Sequence, residues 1–269
     1  MTARTGRGGP DADFYDAELR RHDALLRAAA VVGPGERVLD VGCGTGQTTR
    51  DAGRAAVGGS AVGVDTSADR VEQARRRTTA EGLRNVRYLR ADAQDHPFAP
   101  GSADVCLSRF GTMFFSDPAA AFGNLRRALR PGGRLVQLVW QQPDVNAWFT
   151  APRRAVAGAE PPAPAPADLA PFSLADPATC AGLLTSAGFV AVELRAVHEP
   201  VCWGPDPAVA LDAALRLRHV RDLLARAGDP GRAVARLREL LEAHGTADGV
   251  QLASRAWLVT CRADDRHDD

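Results

Sequence analysis

The sequence predicts an α/β fold with a parallel, doubly wound sheet and helices on both faces. Three observations carry this prediction. Short apolar segments alternate with helical segments from about residue 36 to residue 141. The apolar segments are short, and short apolar strands in such a repeat are typical of a parallel sheet buried on both faces. The first of them, RVLDVG at 37–42, leads directly into a glycine-rich turn and a helix, and this order favours parallel pairing.

Each element of the alternating region is predicted by its own local pattern. Apolar residues at helical spacing in 11–32 predict an N-terminal helix that ends before Gly33-Pro34-Gly35. Ser67 and the pair Asp117-Pro118 are N-terminal capping signals for two later helices. The elements predicted after the first strand are a helix from 47, a strand at 60–65, a helix at 67–82, strands at 85–92 and 103–109, a helix at 117–129 and a strand at 133–140.

Beyond Trp140 the alternation ends. The segment 159–171 is rich in proline and predicts a stiff connection or cover. The elements predicted next are a helix at 176–189, a strand at 190–197, helices at 206–228 and 231–245, and a closing strand at 250–262. The whole chain, 1–269, is interpreted as one domain with a cap helix at 11–32, a core at 36–141, a proline-rich cover at 142–175, a helical lid at 203–246 and a disordered tail at 263–269.

Composition narrows the class of protein. The 33 basic and 33 acidic residues cancel and are dispersed, so the chain shows no electrostatic footprint for nucleic acid. No apolar run approaches the roughly 20 residues of a membrane span, and the first residues lack the apolar core of a signal peptide. These features predict a cytoplasmic protein with no nucleic-acid or membrane partner. The five cysteines contain no Cys-x-x-Cys pair, so we expect reduced thiols and no metal site.

The glycine turn VGCGTG at 41–46 is a candidate ligand site. In open parallel sheets, ligands bind beyond the carboxyl ends of the strands, where this turn lies. Gln47 interrupts the G-x-G-x-x-G fingerprint of dinucleotide-binding proteins, and no Gly-Lys-Ser/Thr follows as a phosphate loop requires. A plain strand-to-helix turn is the alternative.

Acidic residues follow the next two strands. Asp65 comes about 20 residues after the turn, where a carboxylate can accept hydrogen bonds from both hydroxyls of a ribose. Asp92 ends the third strand and can accept from an exocyclic amine. Either acid can instead be a helix or turn cap. Agreement among three strand ends favours a nucleoside-containing ligand.

In this order, the segments VLDVGCGTG, VGVD, RAD before Ala93, ADVCLSRFGTMFF and LRPGGRL resemble the class I S-adenosylmethionine-dependent methyltransferases over about residues 30–140. GFVAVEL and WLVTC fit the reversed final strand of that family. The resemblance implies a Rossmann-like seven-stranded sheet and S-adenosylmethionine as cofactor. It also implies cofactor-binding roles for Asp40 near the ammonium group, Gly42, Gly44 and Gly46 along the methionine part, Asp65 and Thr66 at the ribose, Asp92 and Ala93 at the adenine, and Arg109 at the methionine end.

The substrate predicted is an apolar, aromatic small molecule. Residues 108–111 read SRFG, where methyltransferases acting on DNA bases and some acting on protein amides carry Asp/Asn-Pro-Pro-Tyr. Aromatic and apolar residues after the fourth and fifth strands and in the cover are candidates for substrate contact, with ordinary core or lid packing as the alternative. The candidates are Phe110, Met113, Phe114, Trp140, Trp148 and Trp203.

Tyr15 and His22 are the candidate catalytic residues. They lie seven residues apart and so share one face of the N-terminal helix, and His22 is the readier general base near neutral pH. A surface pair without catalytic role is the alternative. A nicotinamide oxidoreductase and a non-methylating member of the same fold are the rival functions. The sequence leaves open the acceptor atom, carbon, nitrogen or oxygen, and whether the chain forms a homodimer.

Overall fold

A computed structural model describes residues 18–265. Its centre is a seven-stranded sheet with the order β3-β2-β1-β4-β5-β10-β6. The strands of this sheet are β1 (Arg37–Val41), β2 (Ser60–Asp65), β3 (Val86–Arg90), β4 (Ala103–Arg109), β5 (Leu129–Trp140), β6 (Phe189–Val197) and β10 (Ala256–Ala263). Strands β1 to β5 pair in parallel, whereas β10 runs antiparallel to both β5 and β6. The predicted doubly wound sheet with a reversed final strand is confirmed.

Helices cover both faces of this sheet. The α-helices of the described residues are α1 (Arg20–Ala30), α2 (Gln47–Ala55), α3 (Ala68–Ala80), α4 (Pro118–Ala128), α5 (Ala147–Ala157), α6 (Pro177–Ser186), α7 (Pro207–Arg216), α8 (Arg218–Leu224) and α9 (Pro230–Ala243). Val105, Cys106 and Leu107 are neighbours in β4 and are all buried, so side chains on both faces of the strand are covered. Ser67 and Asp117 cap α3 and α4 as predicted, because each side chain accepts a backbone N–H of the first turn.

The segment after β5 differs most from the prediction. The cover at 142–175 contains a helix, α5, that the proline content concealed, and Pro152 lies inside it. The single helix predicted at 206–228 is two helices, because Leu217 adopts an extended conformation between α7 and α8. This break brings His219 of α8 into ring contact with Phe149 of α5, with centroids 5.0 Å apart.

The strand predicted at 250–262 is also divided. Its first part is β9 (Gly249–Leu252), which pairs with β7 (Val201–Cys202) and β8 (Gly245–Thr246) in a small antiparallel sheet. Its second part is β10 of the main sheet. Residue 263, predicted as the start of a disordered tail, is the last residue of β10. Tyr15, the first part of the predicted cap helix and residues 266–269 lie outside the described residues.

The predicted lid at 203–246 is fastened to α5. Arg236 of α9 donates from Nε and Nη2 to the carbonyl oxygens of Ala155 and Val156, at 2.7 and 2.6 Å. These bonds satisfy carbonyl groups of the last turn of α5, which have no partner within the helix. Movement of this region on ligand binding stays a prediction.

Candidate cofactor and substrate site

The carboxyl ends of the parallel strands β1 to β5 meet at one edge of the sheet, and the turn after β1 lies at this edge. Gly42, Gly44 and Gly46 all have positive φ, at 70°, 55° and 81°. A Cβ on Gly42 would lie 2.8 Å from the Cα of Gly111, and a Cβ on Gly46 would overlap the ring of Tyr88. Packing within the protein therefore requires glycine at these two positions.

Gly44 differs from the other two glycines. A Cβ built on it would meet no heavy atom within 4 Å. Only at this position of the turn does the missing side chain leave space beside the backbone that the described residues do not fill. Gly44 is therefore the glycine of the turn best placed to lie against a ligand.

Asp65 lies at the end of β2 and holds the turn in place. Its Oδ2 accepts the backbone N–H of Gly44 at 2.9 Å, and its Oδ1 accepts that of Ser67 at 2.8 Å. Each carboxylate oxygen can accept more than one hydrogen bond, so both keep acceptor capacity for a ligand hydroxyl. Ribose binding by Asp65 stays a prediction, and support of the turn is a role that the sequence did not reveal.

Asp40, at the end of β1, is 1% exposed and accepts the hydroxyl hydrogen of Thr49 at 2.6 Å. Burial raises the pKa of Asp40 to about 6, although the Thr49 hydrogen bond and the charge of Arg109 act in the opposite direction. A ligand cation near this carboxylate would stabilise its charged form.

The two residues predicted at the adenine already accept hydrogen bonds from other groups of the protein. Asp92 is exposed, and its Oδ1 accepts the N–H of Gln94 at 2.9 Å, which closes a turn after β3. Ala93 is buried, and its carbonyl accepts from the side chain of Asn124 at 2.9 Å. Thr66, after β2, is exposed. These residues lie beyond adjacent strand ends, and their contact with adenine or ribose stays a prediction.

The end of β4 is joined to α1 by an ion pair. Nη1 of Arg109 lies 3.3 Å from Oδ1 of Asp23, and both side chains are largely buried. The Thr48 hydroxyl of α2 donates to the same oxygen at 3.3 Å. Removal from water raises the pKa of Glu18, which also lies near Arg109, to about 8. Asp23 of α1 and Glu18, which precedes this helix, are therefore two carboxyl groups near the end of β4 that the sequence did not reveal.

A continuous group of aromatic rings lies next to this edge. We call it the aromatic cluster, and it consists of Phe110, Trp140, Trp148, Phe149 and Phe172. Phe110 after β4 stacks on Trp140 at the end of β5, with centroids 3.8 Å apart and planes 14° apart. The contacts continue from Trp140 through Trp148 to Phe172 at 5.2 and 5.7 Å, and Phe149 packs on both Trp148 and Phe172.

Two features hold the aromatic cluster in place. Phe110 has φ of 57°, a conformation that costs roughly 1–2 kcal/mol outside glycine, and its N–H donates to the carbonyl of Leu138 at 3.0 Å. Asn146 is fully buried, and its Oδ1 accepts both the indole N–H of Trp148 and the backbone N–H of Arg255.

The remaining substrate candidates are not members of the aromatic cluster. Met113 is 3% exposed and its carbonyl accepts from the hydroxyl of Ser173. Phe114 is 60% exposed. Trp203 is buried beside the small sheet, where its backbone N–H donates to the carbonyl oxygen of Val250. Among residues 18–265 it has no ring contact with the aromatic cluster. Phe172 belongs to the cluster, but no pattern in the proline-rich segment distinguished it.

His22 lies against the aromatic cluster and not on the surface. Its side chain is 0% exposed, and its ring makes edge contacts with Phe110 and Trp140 at 5.5 and 5.4 Å. Burial and the nearby charge of Arg109 lower the pKa of His22 to about 4. The expectation that His22 titrates near neutral pH is therefore wrong, because the imidazole stays neutral well below pH 7.

The described residues were also searched for metal-binding groups and for membrane-spanning helices. Residues 18–265 hold no group of three or more His, Cys, Asp or Glu side chains placed to bind a metal ion. In the same range, every helix is too short or too polar to span a membrane.

The sheet order, the reversed β10 and the acid-lined glycine turn define the class I methyltransferase fold. Residues 39–137 match the family model described as a methyltransferase domain. Residues 39–137 therefore form a methyltransferase domain. The fold of the chain is that of the class I methyltransferases, whose cofactor is S-adenosylmethionine.

Named relatives agree with this assignment. A demethylmenaquinone methyltransferase of Thermus thermophilus is 37% identical over 134 residues, which are 50% of this chain and 60% of the relative. A nocamycin O-methyltransferase of Saccharothrix syringae is 32% identical over 179 residues, or 62% of each chain. The matched segments of the curated relatives span between 38% and 62% of their lengths.

Solved structures extend the likeness to nearly the whole chain. The YcgJ protein of Bacillus subtilis aligns with a TM-score of 0.63 over 92% of this chain and 100% of its own, at 17% identity. At this identity the likeness shows the fold alone.

The residues present fit the family's cofactor. Gly44 leaves the turn open, Asp65 keeps acceptor capacity for hydroxyls, and Asp40 is a buried carboxylate suited to a nearby cation. When bound, S-adenosylmethionine supplies an electrophilic methyl group.

We expect the affinity for the cofactor to depend on pH through Asp40. If its charged form supports the ammonium group, binding of S-adenosylhomocysteine should weaken roughly 10-fold from pH 7 to pH 5, because the carboxyl with a pKa of about 6 becomes protonated. Calorimetric titrations at several pH values measure this dependence. Asp40→Asn should bind more weakly and show little change over the same range; an equal pH dependence in both proteins would contradict the assignment.

Proposed function

We propose that this chain transfers a methyl group from S-adenosylmethionine to a carbon, nitrogen or oxygen nucleophile of a flat, apolar small molecule. The observation that carries the proposal is the aromatic cluster, which begins with Phe110 directly after β4 and Trp140 at the end of β5, at the edge where the glycine turn and its acids lie. An aromatic surface of this kind favours a planar ligand through stacking and burial of apolar area.

Methyl transfer of this type is an in-line displacement, so the protein contributes chiefly by holding the nucleophile in line and by excluding water. The buried rings of Phe110 and Trp140 can do both, since they present apolar faces with little access to solvent. The ion pair of Arg109 with Asp23 fixes α1 over this edge. No step in this account requires a metal ion.

The names of two relatives support a small-molecule acceptor. One acts on demethylmenaquinone, which is a quinone, and the other is an O-methyltransferase for nocamycin. Both substrates are small molecules rather than nucleic acids, in line with the balanced charge of this chain. A cytoplasmic location is part of the same proposal.

The experiment is a search for methylated product. The purified protein is incubated with S-adenosylmethionine and fractions of a bacterial metabolite extract, and mass spectrometry looks for species that gain one CH2 unit. Isotopically labelled methyl groups in the cofactor identify true products. The proposal predicts that the native protein forms a labelled small molecule and that the Gly44→Val variant does not. Tight cofactor binding without any labelled product would support the rival, a non-methylating member of the fold.

A further inference from the structure

The tautomer of His22 is fixed by two hydrogen bonds. Oγ of Ser254 lies 2.6 Å from the carbonyl oxygen of Glu199 and donates its hydrogen to it. Nε2 of His22 lies 3.0 Å from the same Oγ. A serine hydroxyl has only one hydrogen, so in this second contact Ser254 accepts and His22 donates from Nε2. The neutral imidazole therefore carries its proton on Nε2.

This tautomer leaves Nδ1 of His22 with a free lone pair. The atom is buried and has no hydrogen-bond partner among residues 18–265. A buried acceptor without a partner loses the hydrogen bond that water would supply, which is a cost that native proteins rarely leave uncompensated. Crucially, the same ring touches both Phe110 and Trp140, the two cluster residues at the strand ends.

The charged groups near His22 do not satisfy Nδ1. Arg109 lies near the ring, but its guanidinium is paired with Asp23. Glu18, four residues before His22, also faces Arg109. Protonation of the imidazole is disfavoured by burial and by the charge of Arg109, which together lower its pKa to about 4. Nδ1 is thus suited to accept a hydrogen bond and poorly suited to take up a proton.

We propose that Nδ1 of His22 accepts a hydrogen bond from a hydroxyl or N–H group on the methyl acceptor. The inference rests on the proposed function and deepens it: the substrate is a planar ring that carries a hydrogen-bond donor at the side facing α1. His22 is then a positioning residue, and no proton moves to it. Orientation of the ligand takes the place of the general-base role for which the sequence made His22 a candidate.

The test uses two probe molecules in the presence of S-adenosylhomocysteine. 2-Naphthol carries a hydroxyl donor, and 2-methoxynaphthalene has the same ring without a donor. Calorimetry should show that the native protein binds 2-naphthol roughly 10-fold more tightly, which is the value of about one hydrogen bond. Equal affinities, or binding of neither probe, would overturn the proposal, since an internal water or simple packing would then account for His22.

Two variants separate the ring nitrogens. In His22→Gln the side-chain amide can still donate to Ser254 but places no acceptor at the Nδ1 position, so the preference for 2-naphthol should vanish. In His22→Asn an amide oxygen can occupy the Nδ1 position, so part of the preference should return. Circular dichroism and thermal melting establish that both variants are folded. A preference retained in His22→Gln would contradict the proposal.

A measurement on the native protein needs no variant. Long-range ¹H–¹⁵N spectra of the histidine rings show which nitrogen is protonated. We expect an unprotonated Nδ1 on His22 whose resonance shifts on adding 2-naphthol. A proton on Nδ1 would refute the tautomer assignment. These readouts do not depend on methyl transfer, so loss of the donor preference and absence of a methylated product are distinguishable failures.

Discussion

Replacing Gly44 by alanine should weaken the binding of S-adenosylhomocysteine by roughly 10- to 100-fold. The added methyl group would enter space that the bound ligand occupies, and overpacking of this kind costs about 1–3 kcal/mol. The space beside Gly44 is free of protein atoms within 4 Å, so the new Cβ would meet the ligand and not the protein. Calorimetric titration of the variant measures the effect.

Gly82 provides a matched control for this variant. It too has positive φ, at 69°, and a Cβ on it would also meet nothing within 4 Å, but it follows α3, at a distance along the chain from the glycine turn. Gly44→Ala and Gly82→Ala should therefore lose a similar amount of stability from backbone strain, roughly 1–2 kcal/mol. Only Gly44→Ala should lose affinity. Equal affinity in the two variants would show that Gly44 does not line the cofactor site.

Replacing Asp65 by alanine should remove the protein's ability to recognise a ribose. The native protein should bind S-adenosylhomocysteine roughly 10- to 100-fold more tightly than its 2′-deoxy analogue, because a hydrogen bond to a charged group is worth about 1.5–3 kcal/mol. In Asp65→Ala the two ligands should bind alike. The comparison of ligands is needed because Asp65 also supports Gly44 and Ser67, so the variant is expected to lose stability and overall affinity in any case.

Thermal melting separates the two roles of Asp65. A lower melting temperature together with lost discrimination between the ligands is the expected result. A lower melting temperature with discrimination intact would assign Asp65 to support of the turn alone, and another group would have to bind the ribose.

The central sheet was predictable because its signals are local. The strands β1, β2 and β4 are short and largely apolar, and capping residues such as Ser67 and Asp117 mark helix starts within a few positions. The small sheet was not predictable, since β7 and β8 have two residues each and pair only through β9. Strands this short carry no periodicity that a sequence can reveal.

The sequence predicted which residues lie at the site, but it did not predict the hydrogen bonds and the burial of those residues. The sequence located Asp65 and Gly44 at the correct edge, yet their mutual hydrogen bond emerges only from the folded turn. His22 was identified as a candidate, but its buried and neutral state depends on Arg109 and Trp140, which are distant in sequence. Burial of a single side chain is a tertiary property that local patterns do not determine.

Calorimetry with the native protein tests whether the glycine turn and the strand-end acids bind S-adenosylmethionine. Separate titrations with S-adenosylhomocysteine and with NADH use ligands that share an adenosine but differ in the part that would approach Gly44. We predict saturable binding of S-adenosylhomocysteine at one site per chain and no measurable binding of NADH. Binding of NADH in preference to S-adenosylhomocysteine, or binding of neither, would show that this edge of the sheet is not a site for S-adenosylmethionine.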